Sequence, residues 1–376
     1  MYHPWHGLRG AFLQHKPPPS RVKTPLLRAA GTGSGRLHRR GLLRLGVMAA
    51  AAAVLPVGCH RRRPGELTMS LGWIPDVEYA DLWVALDRGY MADAGLRFSY
   101  LPGGPNSPPP VLEIAAGEAD FGDSEWLPFC DALNQGNDLQ IIASLFPVGP
   151  AGLISLPAHP VRTPADLVGK RFLVQGPNER AMLQALFRIN GLAENYTMVP
   201  VGFSPEPLLE GAGDAYVCFV TNQPQSLARM GLRQGTDFIV TRLYDLGYRV
   251  CASLLAVERR TLQRRRSELV RFLGALLRGH AANMADPAYG ARLAVERYGA
   301  DLGLDLAQQT TLNRLQLALE TEPGAQIPFW FSARALAGTM YSIARLTGRP
   351  PLPPPQRLRD MSLLEEAYRA VGRSAR

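Results

Sequence analysis

Residues 66–101 read ELTMSLGWIPDVEYADLWVALDRGYMADAGLRFSYL, and the hydrophobic period changes twice within them. Leu67, Met69, Leu71 and Trp73 alternate with polar or small residues, the pattern of a half-buried strand. Pro75 interrupts. From Ala80 to Tyr90 the apolar residues Leu82, Ala85, Leu86 and Tyr90 recur at helical spacing. Beyond Gly95, the alternation returns in Leu96, Phe98 and Tyr100. Strand, helix, strand predicts a βαβ unit, and with it a parallel sheet, because parallel neighbours need such a crossover.

The same alternation continues toward the C-terminus. Gly103 to Pro110 is a Pro/Gly loop ahead of a helix around Val111–Ala116. Strands are expected at Ile141–Leu145, Leu153–Leu156, Arg171–Val174, Ala215–Val220, Phe238–Thr241 and Cys251–Val257. Thr163 to Leu167 reads as a short capped turn, and Asn178 as the N-cap of a helix from Glu179 to Ile189, ended by Gly191. After Val257 the pattern turns helical, over Ser267–Ala285, Tyr289–Tyr298, Leu306–Glu320 and Ser332–Leu346. Pro350 to Pro355 reads as a proline linker before a last helix, Ser362–Ala370. Such an order predicts two α/β lobes with a cleft between them. Ligands in such sheets sit beyond the carboxyl ends of the strands, which selects the loops at Trp73–Asp81, Phe121–Trp126, Gly176–Glu179 and Val220–Pro224.

The formal charge of +9 at first suggests nucleic acid. Its distribution argues otherwise. Residues 1–63 carry 12 of the 41 basic residues and no acid, leaving 29 basic against 32 acidic residues in the remainder. That acid-free flank reads as a targeting segment, so no nucleic-acid partner is expected. Arg39-Arg40 followed by Gly41-Leu42-Leu43 resembles a twin-arginine signal, and Leu45 to Val57 is an uncharged run of 13 residues, shorter than a membrane span. Pro56-Val57-Gly58-Cys59 resembles a lipoprotein cleavage box, with Cys59 as the acylated residue. Residues 1–35 lie upstream of this signal and read as an over-extended start. The expected location is the periplasm, or a lipid anchor on the outer side of the inner membrane. Cys130, Cys218 and Cys251 show no metal spacing or CxxC pair, and buried thiols or one disulfide both remain open for them.

Several segments match a known family in register. Leu71-Gly72-Trp73-Ile74-Pro75, the run Leu82 to Tyr90, and Ala94-Gly95-Leu96 resemble the start of periplasmic binding proteins for thiamine-pyrimidine precursors, riboflavin, alkanesulfonates and nitrate. Ala116 to Gly122, Asp166 to Lys170, Gly213-Asp214-Ala215 and Phe219 to Pro224 follow in the family's order, so the resemblance covers about residues 67–290. It implies a type II periplasmic-binding fold, with lobe 1 from 67–156 plus 253–347, lobe 2 from 157–252, and a C-terminal segment 350–376. Two crossings, near Leu156 and Cys251, would form the hinge. It further implies capture of a small molecule by a monomer, with an ABC permease and its ATPase as partners and no cofactor or metal. A thiamine-precursor pyrimidine is expected first, riboflavin-like rings second, sulfonate or nitrate third.

The candidate ligand-binding residues are Trp73, Asp76, Tyr79, Ser124, Glu125, Phe146, Asn178, Asn222, Gln223 and Tyr248. Trp73 and Tyr248 offer aromatic faces to a flat ring, with strand or core packing as the alternative for each. Glu125, beside Ser124, can accept hydrogen bonds from exocyclic amino groups, or simply complement a helix N-terminus. Asp76 and Tyr79 occupy the loop where the family places a polar contact; its frequent His is absent here. Phe146 lies just past a buried strand. Asn178 sits where free N–H groups could bind an anion, and otherwise acts as a cap. Asn222 and Gln223 carry amides that donate and accept at once, and Gln223 in place of the family's usual acid favours a less cationic ligand. The fungal thiamine pyrimidine synthases share the fold and are enzymes, but their Cys-rich motif is missing; Val217-Cys218-Phe219 supplies one Cys. Catalysis is therefore not expected.

Overall fold

The computed structural model describes residues 65–104 and 106–374. The twin-arginine pair, the apolar run and Cys59 lie outside the described residues. Ten strands form two five-stranded sheets. They are β1 Glu66–Ser70, β2 Arg97–Leu101, β3 Phe121–Ser124, β4 Leu139–Phe146, β5 Ala151–Ser155, β6 Arg171–Val174, β7 Thr197–Pro200, β8 Ala215–Phe219, β9 Ile239–Arg242 and β10 Ala252–Glu258. The first sheet runs β2-β1-β3-β10-β4 and the second β7-β6-β8-β5-β9. Helices used below are α1 Ala80–Asp87, α2 Pro110–Ala116, α3 Trp126–Asn134, α4 Pro177–Ile189, α5 Gln223–Arg229, α6 Arg259–Ala285, α7 Leu306–Gln316 and α8 Ser362–Ser374.

The two sheets share one plan. β1 pairs in parallel with β2 and β3, as the opening βαβ pattern predicts. β10 is inserted antiparallel between β3 and β4, and β5 antiparallel between β8 and β9. So each sheet is mixed rather than wholly parallel. The reason is directional: β5 and β10 are the first strands after the chain has crossed from the other sheet, and each enters its new sheet reversed. β5 also belongs to the second sheet, which puts the first crossing at residues 147–150 rather than near Leu156.

Burial explains which strands read clearly. All eight residues of β4 are buried, and so are six of the seven in β10, so these inner strands appear as continuous apolar runs. In the second sheet, Leu153, Phe172 and Val217 face the main core. Their neighbours Ile154, Leu173 and Tyr216 face a smaller core with Leu208, Leu227 and Phe238. That is the two-residue period of strands covered on both sides.

Three helical expectations change. α6 starts at Arg259, eight residues early, with a break at Arg265 where the guanidinium turns to Asp120 Oδ2 (2.6 Å) and the Glu66 carbonyl (2.9 Å). Gly176, not Asn178, is the N-cap residue of α4. The proline segment is not a free linker: Leu358 and Met361 are buried beside it, and α8 packs on α6 through Leu363, Leu364 and Ala367. Burying a leucine contributes roughly 1.5–3 kcal/mol, enough to hold this tail on the first sheet's helical layer. No helix among the described residues is long and apolar enough to cross a membrane.

Candidate functional site

A cleft of about 340 Å³ lies between the two sheets, at the carboxyl ends of β1, β3, β6 and β8. All four loops selected from the sequence line it. Of the ten candidate residues, Trp73, Asp76, Ser124, Glu125, Phe146, Asn178, Asn222 and Gln223 line the cleft; Tyr79 and Tyr248 do not. Three contacts link the two sides, the first of them in the cleft itself. The Trp73 and Phe203 rings meet edge to face at 5.5 Å, Arg229 pairs with Asp305 at 3.7 Å, and Arg188 Nη1 donates to the Leu346 carbonyl at 2.5 Å.

The floor is built from β1 and β3. Their pairing brings Asp123 beside the segment that leaves β1. Asp123 Oδ1 accepts the Gly72 N–H, and Oδ2 accepts the Tyr79 hydroxyl at 2.9 Å. Tyr79 in turn accepts the Trp73 N–H at 3.0 Å. Gly72 permits this approach: a Cβ there would stand 2.9 Å from Asp123 Oδ1. Tyr79 is thus a buried brace behind the wall rather than a wall residue. Tyr248, also buried, sits behind Glu125 and borders a separate small void. The second aromatic at the cleft is instead Phe203, half-exposed in the loop after β7.

Carboxylates converge on the first-sheet side. Asp76 caps the turn Val77–Tyr79 by accepting the Glu78 N–H at 2.8 Å. Glu78 Oε1 accepts the Ser253 hydroxyl at 2.9 Å, while the Ser253 N–H reaches Glu125 Oε1 at 3.4 Å. Ser253 holds this position at φ 48°, a left-handed conformation that costs a non-glycine residue about 1–3 kcal/mol and recurs at functional sites. Burial pushes Asp76 and Glu125 up to about 7 and Asp123 to about 6. Burial, then the neighbouring Asp123 and Asp76, carries Glu78 well above the usual carboxylate range.

Amides dominate the second-sheet side. Gln175 Nε2 donates to the Val217 carbonyl at 2.9 Å, and Gln223 Oε1 accepts the Phe219 N–H at 2.9 Å. Gln223 therefore closes the turn between β8 and α5 with its oxygen, leaving its NH₂ for the cleft. Glu179 also lines the cleft from α4, so a carboxylate stands beside the free N–H groups of this helix start. Among the described residues, no Lys, Arg or His lines the cleft. Gln223 stands where an acid would add one more negative charge to this cleft. Five acidic side chains line it.

Sequence reasoning passed over Glu78, Asp123, Glu179 and Phe203. Glu78, Asp123 and Glu179 lie within two residues of Asp76, Ser124 and Asn178, and that proximity is their signal in the sequence; Phe203 has none. A buried cluster away from the cleft was also missed. His280 Nδ1 lies 3.0 Å from Asp81 Oδ2 and 2.7 Å from Glu320 Oε2, and Asn283 Nδ2 donates to Asp81 Oδ1 at 2.8 Å. These are hydrogen-bonding separations, and they tie α1 and α6 to the turn after α7. Burial opposes the charge on His280, but its bonds to Asp81 and Glu320 prevail and lift it to about 10. Cys130, Cys218 and Cys251 are free, buried thiols.

Comparison with known proteins adds to this geometry. A family model described as NMT1/THI5 like matches residues 76–289. The riboflavin-binding protein RibY of Chloroflexus aurantiacus is 26% identical over 294 residues, 75% of this chain and 78% of its own length. The 4-amino-5-hydroxymethyl-2-methylpyrimidine phosphate synthase of Legionella pneumophila is 27% identical over 228 residues, 59% of this chain and 70% of its own. Among solved structures, a sulfonate-binding protein SsuA from Methylobacillus flagellatus superposes with a TM-score of 0.58 at 12% identity, covering 82% of this chain and 95% of its own. At that identity the likeness speaks for the fold, which is the periplasmic-binding-protein fold.

Proposed function

The chain belongs to the NMT1/THI5-like family, and from that membership we propose that it is the substrate-binding component of an ABC importer, capturing a small nitrogen heterocycle between its two lobes. In this reading the lobes are the two sheets with their helices, hinged at residues 147–150 and near Cys251. Closure buries the ligand and presents the closed form to a permease and its ATPase. The protein acts outside the cytoplasm, exported by the twin-arginine route and anchored through Cys59, and it performs no chemistry.

The observation carrying this reading is the lining of the cleft: Trp73 and Phe203 for a flat ring, with carboxylates and amides that accept and donate around its edge. A thiamine-precursor pyrimidine, with its amino group and ring nitrogens, suits that lining best. Riboflavin is the second reading, supported by the relative named for binding it. Sulfonate and nitrate fit poorly, since each would add negative charge beside five carboxylates. The relative named as a synthase keeps an enzyme reading in view. Against it, no histidine among the described residues lines this cleft.

A thermal-shift screen tests the proposal, because a ligand that binds the native state alone raises its stability by RT ln(1 + [L]/Kd). Hydroxymethylpyrimidine at a hundredfold excess over Kd adds about 2.7 kcal/mol. An unmoved melting point with pyrimidines and flavins, beside a clear rise with an alkanesulfonate, sinks the heterocycle reading.

A further inference from the structure

We propose that the cleft takes its ligand as a cation, so that the bound molecule carries the positive charge that the walls lack. This rests on the binding-protein reading above and adds the charge class of the ligand. Asp76, Glu78, Asp123 and Glu125 gather on one wall and Glu179 on the other, with no basic side chain among the lining residues.

Closure withdraws these carboxylates from water, and a buried carboxylate must be protonated or paired. Beside a neutral ligand the carboxylates can only take up protons, an anion adds to the repulsion, and a cation pairs with them directly. The groups facing Glu125 are Asp123 and Glu78 on its own side, Glu179 across the cleft, and the Tyr248 phenol and Cys251 thiol behind it, none of them cationic. Helix starts supply partial charge only: α3 begins directly after Glu125, and the short turn after Asp76 is already capped by that residue. The aromatic pair fits the same class, since the faces of Trp73 and Phe203 attract a cation as well as a flat ring. A ligand that arrives as a weak base can take its proton from a carboxyl of the wall, leaving a carboxylate paired with the cation it has made.

Three probes sharing one ring isolate charge from shape: 2-methyl-4-aminopyrimidine bearing at C5 an aminomethyl, a hydroxymethyl or a phosphorylated hydroxymethyl group. They are titrated calorimetrically into the full-length chain at pH 7. The aminomethyl cation is expected to bind at least about tenfold more tightly than the alcohol, and the phosphate at least about tenfold more weakly. Equal binding of alcohol and cation, or preference for the phosphate, overturns the charge class while leaving the heterocycle reading intact. If none of the three binds, the heterocycle reading falls, and choline and a polyamine are compared with an alkanesulfonate. Binding of the organic cations alone then supports the charge class, and binding of the sulfonate overturns it.

A ligand-free measurement decides the matter independently. Glu125→Gln keeps the shape and can still accept the Ser253 N–H. Glu179→Gln does the equivalent on the other lobe. If the carboxylates are uncompensated, each variant melts about 2 °C or more above the parent at pH 8, and Glu125→Gln melts level with it at pH 4.5, where Glu125, raised to about 7, is protonated. Unchanged or lower melting at pH 8 in both variants means the charge is already balanced within the protein, and the proposal fails whatever the probes do.

Discussion

Gly149 and Val250 touch where the two crossings between the sheets pass each other: a Cβ on Gly149 would lie 2.3 Å from the Val250 carbonyl oxygen. Both segments are buried, and each leads into the antiparallel strand of its new sheet. The absence of a side chain on Gly149 therefore sets how closely the two connections lie, at the place where a hinge between lobes must bend.

Gly149→Ala is expected to force these connections apart and cost about 1–3 kcal/mol, as overpacking does. The melting temperature should fall by several degrees. Gly202→Ala is the control, since nothing stands within 4 Å of its added Cβ, and its effect should stay within about 0.5 kcal/mol. Equal melting of the two variants would show that the crossings have room to spare.

Trp73→Ala and Asn222→Ala should each weaken ligand binding about tenfold, near 1.4 kcal/mol, while the ligand-free melting point drops by no more than about 3 °C. Trp73 is half-buried on the cleft wall, and the Asn222 side chain has no protein partner among the described residues. Severe unfolding in both variants would instead assign them to the packing of the fold. Titration calorimetry and a melt on the same sample separate the outcomes.

Tyr79→Phe removes the hydroxyl that joins the Trp73 N–H to Asp123. The loss of that buried link should cost about 1–3 kcal/mol of stability. It should also weaken binding, because the Trp73 backbone loses its brace. A variant that melts normally and binds normally would show that the link positions nothing.

His280→Gln leaves Asp81 buried without its cation, beside Glu320, which burial and Asp81 hold up at about 8, and should cost about 3 kcal/mol near neutral pH. The pH dependence carries a sign. His280 is raised to about 10 from an ordinary 6.5, so its contribution is complete below pH 6.5 and disappears as pH climbs through 10. The gap between wild type and variant should therefore narrow steadily on the alkaline side. A gap that widens from pH 7 to pH 10 would contradict a protonated His280.

Much of the architecture is legible in local pattern. The alternation of Leu67, Met69 and Leu71, the helical spacing from Leu82 to Leu86 and the renewed alternation at Phe98 and Tyr100 encode strand, helix and strand. Each is a short-range periodicity that burial of one face imposes on neighbouring residues. The same reasoning located the four loops of the cleft, because strand ends dictate where loops open. The reversed entry of β5 and β10 left no such mark, since a buried strand presents the same apolar run in either direction.

The amino-acid order alone thus specified the α/β elements, their sequence and the loops able to meet a ligand. The charge of the cleft arose only in three dimensions. Outside the basic leader, acidic and basic residues nearly balance, yet the β1–β3 pairing and the return of β10 bring Asp76, Glu78, Asp123 and Glu125 together around Ser253, with no basic side chain of the described residues lining the same cleft. Electrostatic interaction depends on distance through space and on exclusion of water, and neither quantity is a property of spacing along the chain.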